Sequence, residues 1–155
     1  MLDTTKNLKT LLKDPDLLTT QGYIAGIWSD SDVGKTFPVF NPANEKIIAQ
    51  VEDCSRAQAF KAIVAAQKAQ KSWAALTGKE RSSILRNWFN LMIENANDLA
   101  TILTVEQGKP LAEAKAEIGY GASFIEFFAE EAKRIYGETI PGHQSDKRIT
   151  VIKQP

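Results

Sequence analysis

The sequence contains very few of the side chains that most often carry chemistry. Of its 155 residues, one is a cysteine, Cys54, and one is a histidine, His143. A single cysteine excludes a disulfide within the chain, which fits a reducing compartment, and we expect a cytoplasmic protein. The two residues are too far apart to have metal-ligand spacing, so the composition predicts no metal centre built from them.

Excess charge and long apolar runs are also absent. Lysine plus arginine and aspartate plus glutamate number 19 each, so the formal net charge is zero. Without an excess of positive charge we expect no binding to nucleic acid or to an anionic membrane. No apolar run approaches the roughly 20 residues that span a bilayer. The first six residues lack the basic stretch and apolar core of a signal peptide.

The patterns that are present divide one domain into four segments. They are an N-terminal helical segment over 1–20, a β-meander over 21–54, a helical region over 55–137, and a loop with the start of a further strand over 138–155. The meander is predicted from three short strands over 23–28, 36–40 and 46–52, with turn residues between them. Pro38 argues for an edge position of the second strand. We therefore expect an α+β fold that is mainly helical.

Capping signals and apolar stripes define the helices. A first short helix over 4–13 should end at Asp14-Pro15-Asp16. Ser55 with Gln58 and Thr77 with Glu80 fit capping boxes, in which each side chain satisfies the other residue's backbone donor. The helix after Ser55 should bury Phe60, Ile63, Val64 and Trp73, and the helix after Thr77 should carry Leu85, Trp88, Phe89 and Met92 on one stripe. A helix over about 97–107 should end at Gly108.

The last predicted helix, over about 111–136, has two apolar faces. One seam follows alternating spacings of three and four residues: Leu111, Ala114, Ile118, Gly121, Ile125, Phe128, Ala132 and Ile135. The second face holds Ala116, Tyr120, Phe124 and Phe127. Because one neighbour cannot cover both faces, either the helix is central to the domain or its second face awaits protein outside these residues. A strand over 148–152 follows, with no partner after it.

No catalytic and no cofactor-binding residue is assigned from these patterns. One interpretation of the glutamates on the last helix is that they are paired carboxylates for acid–base chemistry. These residues are Glu113, Glu117, Glu126, Glu130 and Glu131. We favour a solvated face with lysine and arginine interspersed. Gly119 and Gly121 lie inside a helix, so they form no phosphate-binding loop, and we expect them to admit a neighbouring helix. Cys54 is interpreted as a packing residue and His143 as a solvated loop residue.

Seven short segments follow one another in a characteristic order. They are Asn41-Pro42-Ala43-Asn44, Trp73 with residues 77–81, and the segments 85–89, 106–114, 127–131, 135–141 and 151–155. In this order they resemble the N-terminal region of the aldehyde dehydrogenase superfamily, and the match covers nearly all of the chain after about Gly22. Within the superfamily, the run over 86–155 is most similar to the bacterial succinate-semialdehyde dehydrogenases.

The resemblance implies a partial aldehyde-dehydrogenase fold and an oxidoreductase function. The full-length enzyme would use NAD or NADP to oxidise succinic semialdehyde to succinate, in GABA catabolism, through a cysteine thiohemiacetal. In such enzymes the oxyanion asparagine, the cofactor glycines, the general-base glutamate and the nucleophilic cysteine follow beyond the position of Pro155. We therefore expect this chain to be an N-terminal fragment that is inactive by itself and binds no cofactor.

The resemblance also implies two sites and an assembly contact. Ala116, Tyr120 and Phe124 match helix positions that line the substrate tunnel, although plain core packing is an alternative for such residues. Glu106 and the backbone carbonyls of Val39 and Phe40 match a monovalent-cation site that needs a further ligand. The segment 148–153 matches the start of the oligomerisation strands, and an unpaired strand invites pairing with another chain. We expect a homo-oligomer.

Two interpretations compete with the enzyme fragment. One is a non-catalytic interaction or structural module derived from this region, and the other is a remnant without a biochemical role. A module that stands alone should carry polar residues on the second face of the last helix, and this sequence has aromatic residues there. The pattern therefore favours a part of an enzyme.

Overall fold

The computed structural model describes residues 7–154, and in that range it holds four α-helices, two 3₁₀ helices and six short strands. In chain order they are the 3₁₀ helices Leu8–Leu11 and Pro15–Leu17, β1 Gly22–Ile24, β2 Ile27–Ser29, β3 Thr36–Phe40, β4 Ile47–Glu52, α1 Arg56–Ala75, α2 Gly78–Glu94, α3 Ala96–Gln107, α4 Leu111–Glu131, β5 Glu138–Pro141 and β6 Arg148–Val151. The predicted class, mainly helical with short strands, is confirmed.

The N-terminal segment forms two 3₁₀ turns where the sequence predicted one helix over 4–13. Residues 4–6 of that prediction lie outside the described residues. The Asn7 side chain accepts a hydrogen bond from the Lys9 backbone N–H at 3.0 Å, and Asp14 accepts one from Asp16 at 3.1 Å. Side-chain oxygens that bond nearby backbone donors favour tight turns over a continuous helix. The helix prediction is therefore wrong in type.

The predicted three-stranded meander is two separate antiparallel hairpins. β1 pairs with β2, and β3 pairs with β4. The stretch predicted as one strand over 23–28 turns back at Ala25 and Gly26, whose φ angles of 53° and 86° are both positive. Two consecutive positive φ angles are typical of the tight turn that best matches the twist of a hairpin. Asparagine, aspartate and glycine are the usual first residues of such a turn, so a turn beginning at alanine was not recognised from the sequence.

A register shift in the second hairpin directs β4 toward the core. Val39 pairs with Ala49 and Phe40 pairs with Ile47, so that Ile48 is an extra residue on β4. Such a bulge changes the direction of the strand locally. Pro38 lies in β3, which pairs only with β4 among the described strands, in agreement with the predicted edge position.

Two capping boxes were predicted, and one of them is complete. The Thr77 hydroxyl accepts from the Glu80 N–H, and the Glu80 carboxylate accepts from the Thr77 N–H at 2.7 Å. Ser55 caps α1, but Gln58 does not reach back to it. The buried Gln58 amide donates to the Asp30 carbonyl at 2.8 Å and accepts from the Asp32 N–H at 3.0 Å, so it joins α1 to the loop after β2.

A small aliphatic cluster holds the N-terminal segment against α3 and β4. Its buried members are Leu8, Leu12 and Val105, and the half-buried residues around them are Leu11, Leu18, Ile48 and Ile102. Beside the cluster, the buried carboxylate of Asp98 on α3 accepts from the backbone N–H groups of Lys13 and Asp14, at 3.1 and 2.8 Å. Apolar burial and a charged acceptor therefore fix the same segment.

The predicted burial of α1 is wrong. Phe60, Ile63 and Val64 are exposed to 65%, 64% and 48%, and only Trp73 is half-buried. The helix packs against β1 on one side. On α2, Leu85, Phe89 and Met92 are half-buried as predicted, whereas Trp88 is 56% exposed. The helices thus form correctly from local signals, but the described elements leave several of their apolar faces uncovered.

The C-terminal part departs from the sequence prediction twice. α4 ends at Glu131 instead of near Tyr136, and beyond it Lys133 and Arg134 bond to carbonyls three residues back, the tighter pattern that often closes a helix. The strand over 148–152 was predicted to have no partner after it, and no partner before it was recognised. It is β6, and it pairs with β5 in a region that was predicted as a loop.

Candidate functional site

One side of α4 is an exposed aromatic surface. We define the aromatic face by Ala116, Tyr120, Phe124 and Phe127, all of which are exposed. The rings of Tyr120 and Phe124 meet edge to face, with centroids 4.9 Å apart and planes at 81°. Residues four apart on a helix are neighbours on its surface, which produces this contact. The structure therefore brings the three predicted tunnel residues, Ala116, Tyr120 and Phe124, onto one surface.

The aromatic face can form the wall of a site and exclude water from it. It carries no acid, base or nucleophile except the phenol of Tyr120. Phe127 also touches Phe128, with centroids 5.3 Å apart. Such a surface suits the wall of a site that holds an apolar chain, since ligand pockets are lined mainly by apolar and aromatic side chains. Chemistry at this surface would need reactive groups from elsewhere.

A neighbouring side of α4 is tied to α2 by ion pairs. The Arg86 guanidinium on α2 donates to Glu126 at 2.6 Å and to Glu130 at 2.8 Å. These hydrogen bonds, Glu126 first, raise the pKa of Arg86. Hydrogen bonding to Lys133 and then to Arg86 lowers the pKa of Glu130. Glu126 and Glu130 thus keep 45% and 35% of their side-chain surface exposed, but they are also paired with another helix, which the sequence did not predict.

The predicted cation ligands come from two elements that meet at one corner. Val39 is half-buried, Phe40 is 49% exposed, and the ladder between β3 and β4 is irregular at these two residues. Pro42 lies close to Gly108, where an added Cβ would stand 2.9 Å from the Pro42 ring. This contact brings the end of α3, and with it the exposed Glu106, to the same corner. Three oxygens of this kind are a partial set for a hard cation.

The rest of the described chain shows where the other predicted residues lie. Cys54 is a half-buried free thiol near Gly22, and His143 is exposed in the loop between β5 and β6. Over residues 7–154, no three histidine, cysteine or carboxylate side chains group as metal ligands. In the same range, no helix is both long and apolar enough to cross a membrane.

The glycines do not form a dinucleotide cradle in the described residues. Gly119 and Gly121 lie inside α4, as the sequence indicated, and a Cβ at either position would meet nothing within 4 Å. The expectation that they admit a neighbouring helix is therefore not met within residues 7–154. A dinucleotide site needs a glycine-rich turn between a strand and a helix N-terminus. Since α1 follows β4 through Asp53-Cys54-Ser55, the residues described here do not fit that group.

Comparison with known proteins identifies the family. The sequence profile of the aldehyde dehydrogenase family matches residues 28–155. The chain belongs to this family. It is 62% identical over 144 residues to the glutarate-semialdehyde dehydrogenase of Pseudomonas putida, and 57% identical over the same length to the NADP(+) succinate-semialdehyde dehydrogenase of Escherichia coli. Each alignment covers 93% of this chain and 30% of the relative, so the chain spans about a third of the length of these relatives.

Solved structures agree with this membership. The chain resembles an NADP-dependent enzyme of Escherichia coli with a TM-score of 0.91 at 57% identity, over 93% of this chain and 30% of that one. It also resembles betaine aldehyde dehydrogenase of Staphylococcus aureus, solved in complex with NAD+, with a TM-score of 0.88 at 29% identity, over 99% and 30% of the two chains. The fold is therefore part of the aldehyde-dehydrogenase fold, as the sequence predicted.

Proposed function

We propose that this chain is the N-terminal part of an NAD(P)-dependent semialdehyde dehydrogenase, and that the intact enzyme oxidises succinic semialdehyde to succinate. The observation that carries this proposal is the 57% identity to the Escherichia coli succinate-semialdehyde enzyme, together with the TM-score of 0.91 to an NADP-dependent enzyme of that organism. The dinucleotide would accept the hydride when it is bound, on residues other than those described here.

Glutarate semialdehyde is the second candidate substrate. The Pseudomonas putida relative that carries this name is 62% identical to the chain, which is slightly higher than the succinate-semialdehyde relative. The two aldehydes each carry a carboxylate at the far end and differ by one methylene group. A methylene in an apolar pocket changes selectivity by about 1–3 kcal/mol, so the lining of the tunnel decides between them.

This chain would contribute one wall of the substrate tunnel to the reaction, and no catalytic group. Ala116, Tyr120 and Phe124 would line the passage for the aliphatic part of the aldehyde, because they form the exposed, apolar side of α4. Glu106 with the carbonyls of Val39 and Phe40 would bind a monovalent cation once a further oxygen ligand is supplied. We assign no catalytic residue to this chain and propose that it is inactive alone, in a homo-oligomeric cytoplasmic enzyme.

A chimera tests the proposal. This chain is placed in the Escherichia coli succinate-semialdehyde dehydrogenase, where it replaces the matching N-terminal segment, and the formation of NADPH from succinic semialdehyde is followed by absorbance. We expect turnover by the chimera and none by the 155-residue chain alone with NAD or NADP. Glutaric semialdehyde is measured in parallel to rank the two candidate substrates.

Two results would overturn the proposal. One is cofactor reduction by the chain alone that disappears in Cys54→Ser, which would place the nucleophile in this chain. The other is a chimera that folds and binds NADP but oxidises neither aldehyde, as expected if the chain were a non-catalytic interaction or structural module.

A further inference from the structure

The fully buried side chains of α2 and α4 are small, and half-buried larger ones accompany them: Leu85, Phe89 and Met92 on α2, Ile118 and Ile125 on α4. The two helices run antiparallel, because Gly78 at the start of α2 lies against the Ala132 carbonyl at the end of α4, whereas Arg86 reaches back to Glu126. The buried residues of α4 are Ala114, Ala122 and Ala129, and the buried residue of α2 is Ser82. Large side chains interlock as ridges in grooves, and the alanines among them contribute less to fixing the rotation of a helix.

Arg86 supplies the constraint that the alanines lack. One of its terminal nitrogens bonds Glu126 and the other bonds Glu130, so a single planar group holds two residues one turn apart on α4. Its guanidinium carbon lies 5.2 Å from the centre of the Phe89 ring, which supports the position of the group. The rigid fork of arginine suits two carboxylates, which a lysine ammonium cannot engage in the same geometry.

The clamp and the aromatic face lie on different sides of α4, with Glu130 about 60° around the helix from Phe127. At about 100° per residue, Glu126 is about 200° around the helix from Phe124. A rotation of α4 by about 20° would move a ring at a radius of about 6 Å by about 2 Å. A small rotation of α4 is therefore large on the scale of an aldehyde chain.

We propose that Arg86 is a positioning residue for substrate selection, which holds Glu126 and Glu130 and so fixes the rotation of α4 that places Tyr120 and Phe124. The proposal rests on the function proposed above, in which Tyr120 and Phe124 face the substrate. Partly exposed ion pairs contribute little to folding. The effect of losing the clamp should therefore appear in selectivity more than in stability.

The test uses the chimera with Arg86→Lys and Arg86→Gln, and it measures kcat and KM for succinic and glutaric semialdehydes. We expect the ratio of kcat/KM between the two aldehydes to change by roughly tenfold in Arg86→Gln, which is the lower end of the discrimination that an apolar pocket provides for one methylene. Arg86→Lys should give a smaller change. The matched control is Arg134→Gln, which removes an arginine that pairs with Glu131 three residues before it and reaches no other helix.

A double substitution shows whether Arg86 acts through the aromatic face. In a Phe124→Ala background, Arg86→Gln should change selectivity no further, because coupled residues are not additive. If the two changes add, or if Arg86→Gln alters both aldehydes equally, Arg86 is a structural residue only and the proposal is wrong. Should Arg86→Gln fail to fold, Glu126→Gln replaces it in the same measurements. A chimera that is inactive with Arg86 intact would count against the proposed function instead.

Discussion

Around α3, leucine, isoleucine and valine side chains exclude water, whereas on α2 and α4 the fully buried side chains are serine and alanine, and ion pairs cross from helix to helix. The first region buries Leu8 and Val105 to within 2% of full burial. The second buries Ala122 completely but leaves Arg86 34% exposed. Apolar burial supplies most of the free energy of folding, so the two regions should respond differently to substitution.

The comparison shows that stability and geometry are provided by different residues. Shortening a side chain in a cluster of large aliphatic residues lowers the free energy of unfolding strongly, because it leaves a cavity. Buried serine and alanine remove less apolar area from water, and between α2 and α4 the Arg86 ion pairs add directional contacts. The aliphatic cluster around α3 attaches the N-terminal segment. The contacts between α2 and α4 orient the helix that carries the aromatic face.

Shortening Leu8 should give the largest effect. Leu8→Ala removes a side chain that is 2% exposed, and we expect the free energy of unfolding to fall by about 2–5 kcal/mol. Chemical denaturation of the chain measures this. The control is Ile63→Ala on α1, where the side chain is 64% exposed and the loss should be much smaller. Equal losses at the two positions would contradict the assignment of the core to the α3 region.

Removing the buried carboxylate beside the cluster should come next. Asp98→Ala leaves the backbone donors of Lys13 and Asp14 without their acceptor, at a cost of about 1–3 kcal/mol. Asp98→Asn keeps one acceptor oxygen and should cost less. Hydrogen exchange at these two amides is the measurement, and unchanged protection in Asp98→Ala would show that the carboxylate does not hold the segment.

Two helical glycines should respond with opposite signs. A Cβ at Gly78 would run into the backbone carbonyl of Ala132, so Gly78→Ala should push α2 from α4 and cost about 1–2 kcal/mol. A Cβ at Gly119 meets nothing within 4 Å, and Gly119→Ala should stabilise the chain by up to about 1 kcal/mol through helix propensity. Thermal unfolding compares the pair, and a loss at Gly119 would reveal an unseen neighbour.

The capping box should give the smallest effect, and one that depends on pH. Thr77→Ala removes the cap of α2, which costs about 1 kcal/mol. The bonds from the Thr77 backbone and then its hydroxyl lower the pKa of Glu80 from its ordinary value of 4.5. A lowered carboxyl pKa stabilises the folded chain above 4.5, and this contribution disappears as the pH falls through the folded pKa. Denaturation of Glu80→Gln should therefore show a weaker acid dependence than the parent chain, and identical profiles would argue against the box.

Local signals in the sequence were sufficient for α1, α2 and α3 and for the aromatic face of α4. The Thr77 and Glu80 box, the left-handed Gly108 at φ 80° and the four-residue spacing of Tyr120 and Phe124 all act within a few residues. Distant partners were not predictable in this way. Gln58 leaves its expected cap for Asp30 and Asp32, and Arg86 finds Glu126 at a separation of 40 residues.

The same limit explains the errors in burial. Periodicity marks which side of α1 is apolar, but it does not say which element covers that side. In the described residues Phe60 and Ile63 remain exposed, and α1 rests against β1 by another part of its surface. The pairing of β5 with β6 was missed for a similar reason, since strand partners are chosen by three-dimensional context.

The contact between Gly108 and Pro42 has a consequence for mutational screens. Any side chain at position 108 would be disfavoured twice, once by the positive φ of 80° and once by the proline ring 2.9 Å from its Cβ. A saturation library would therefore score this glycine as indispensable, although its role is to let a hairpin and a helix end touch. Intolerance to substitution there reports on architecture and would be misleading as a guide to the reacting atoms.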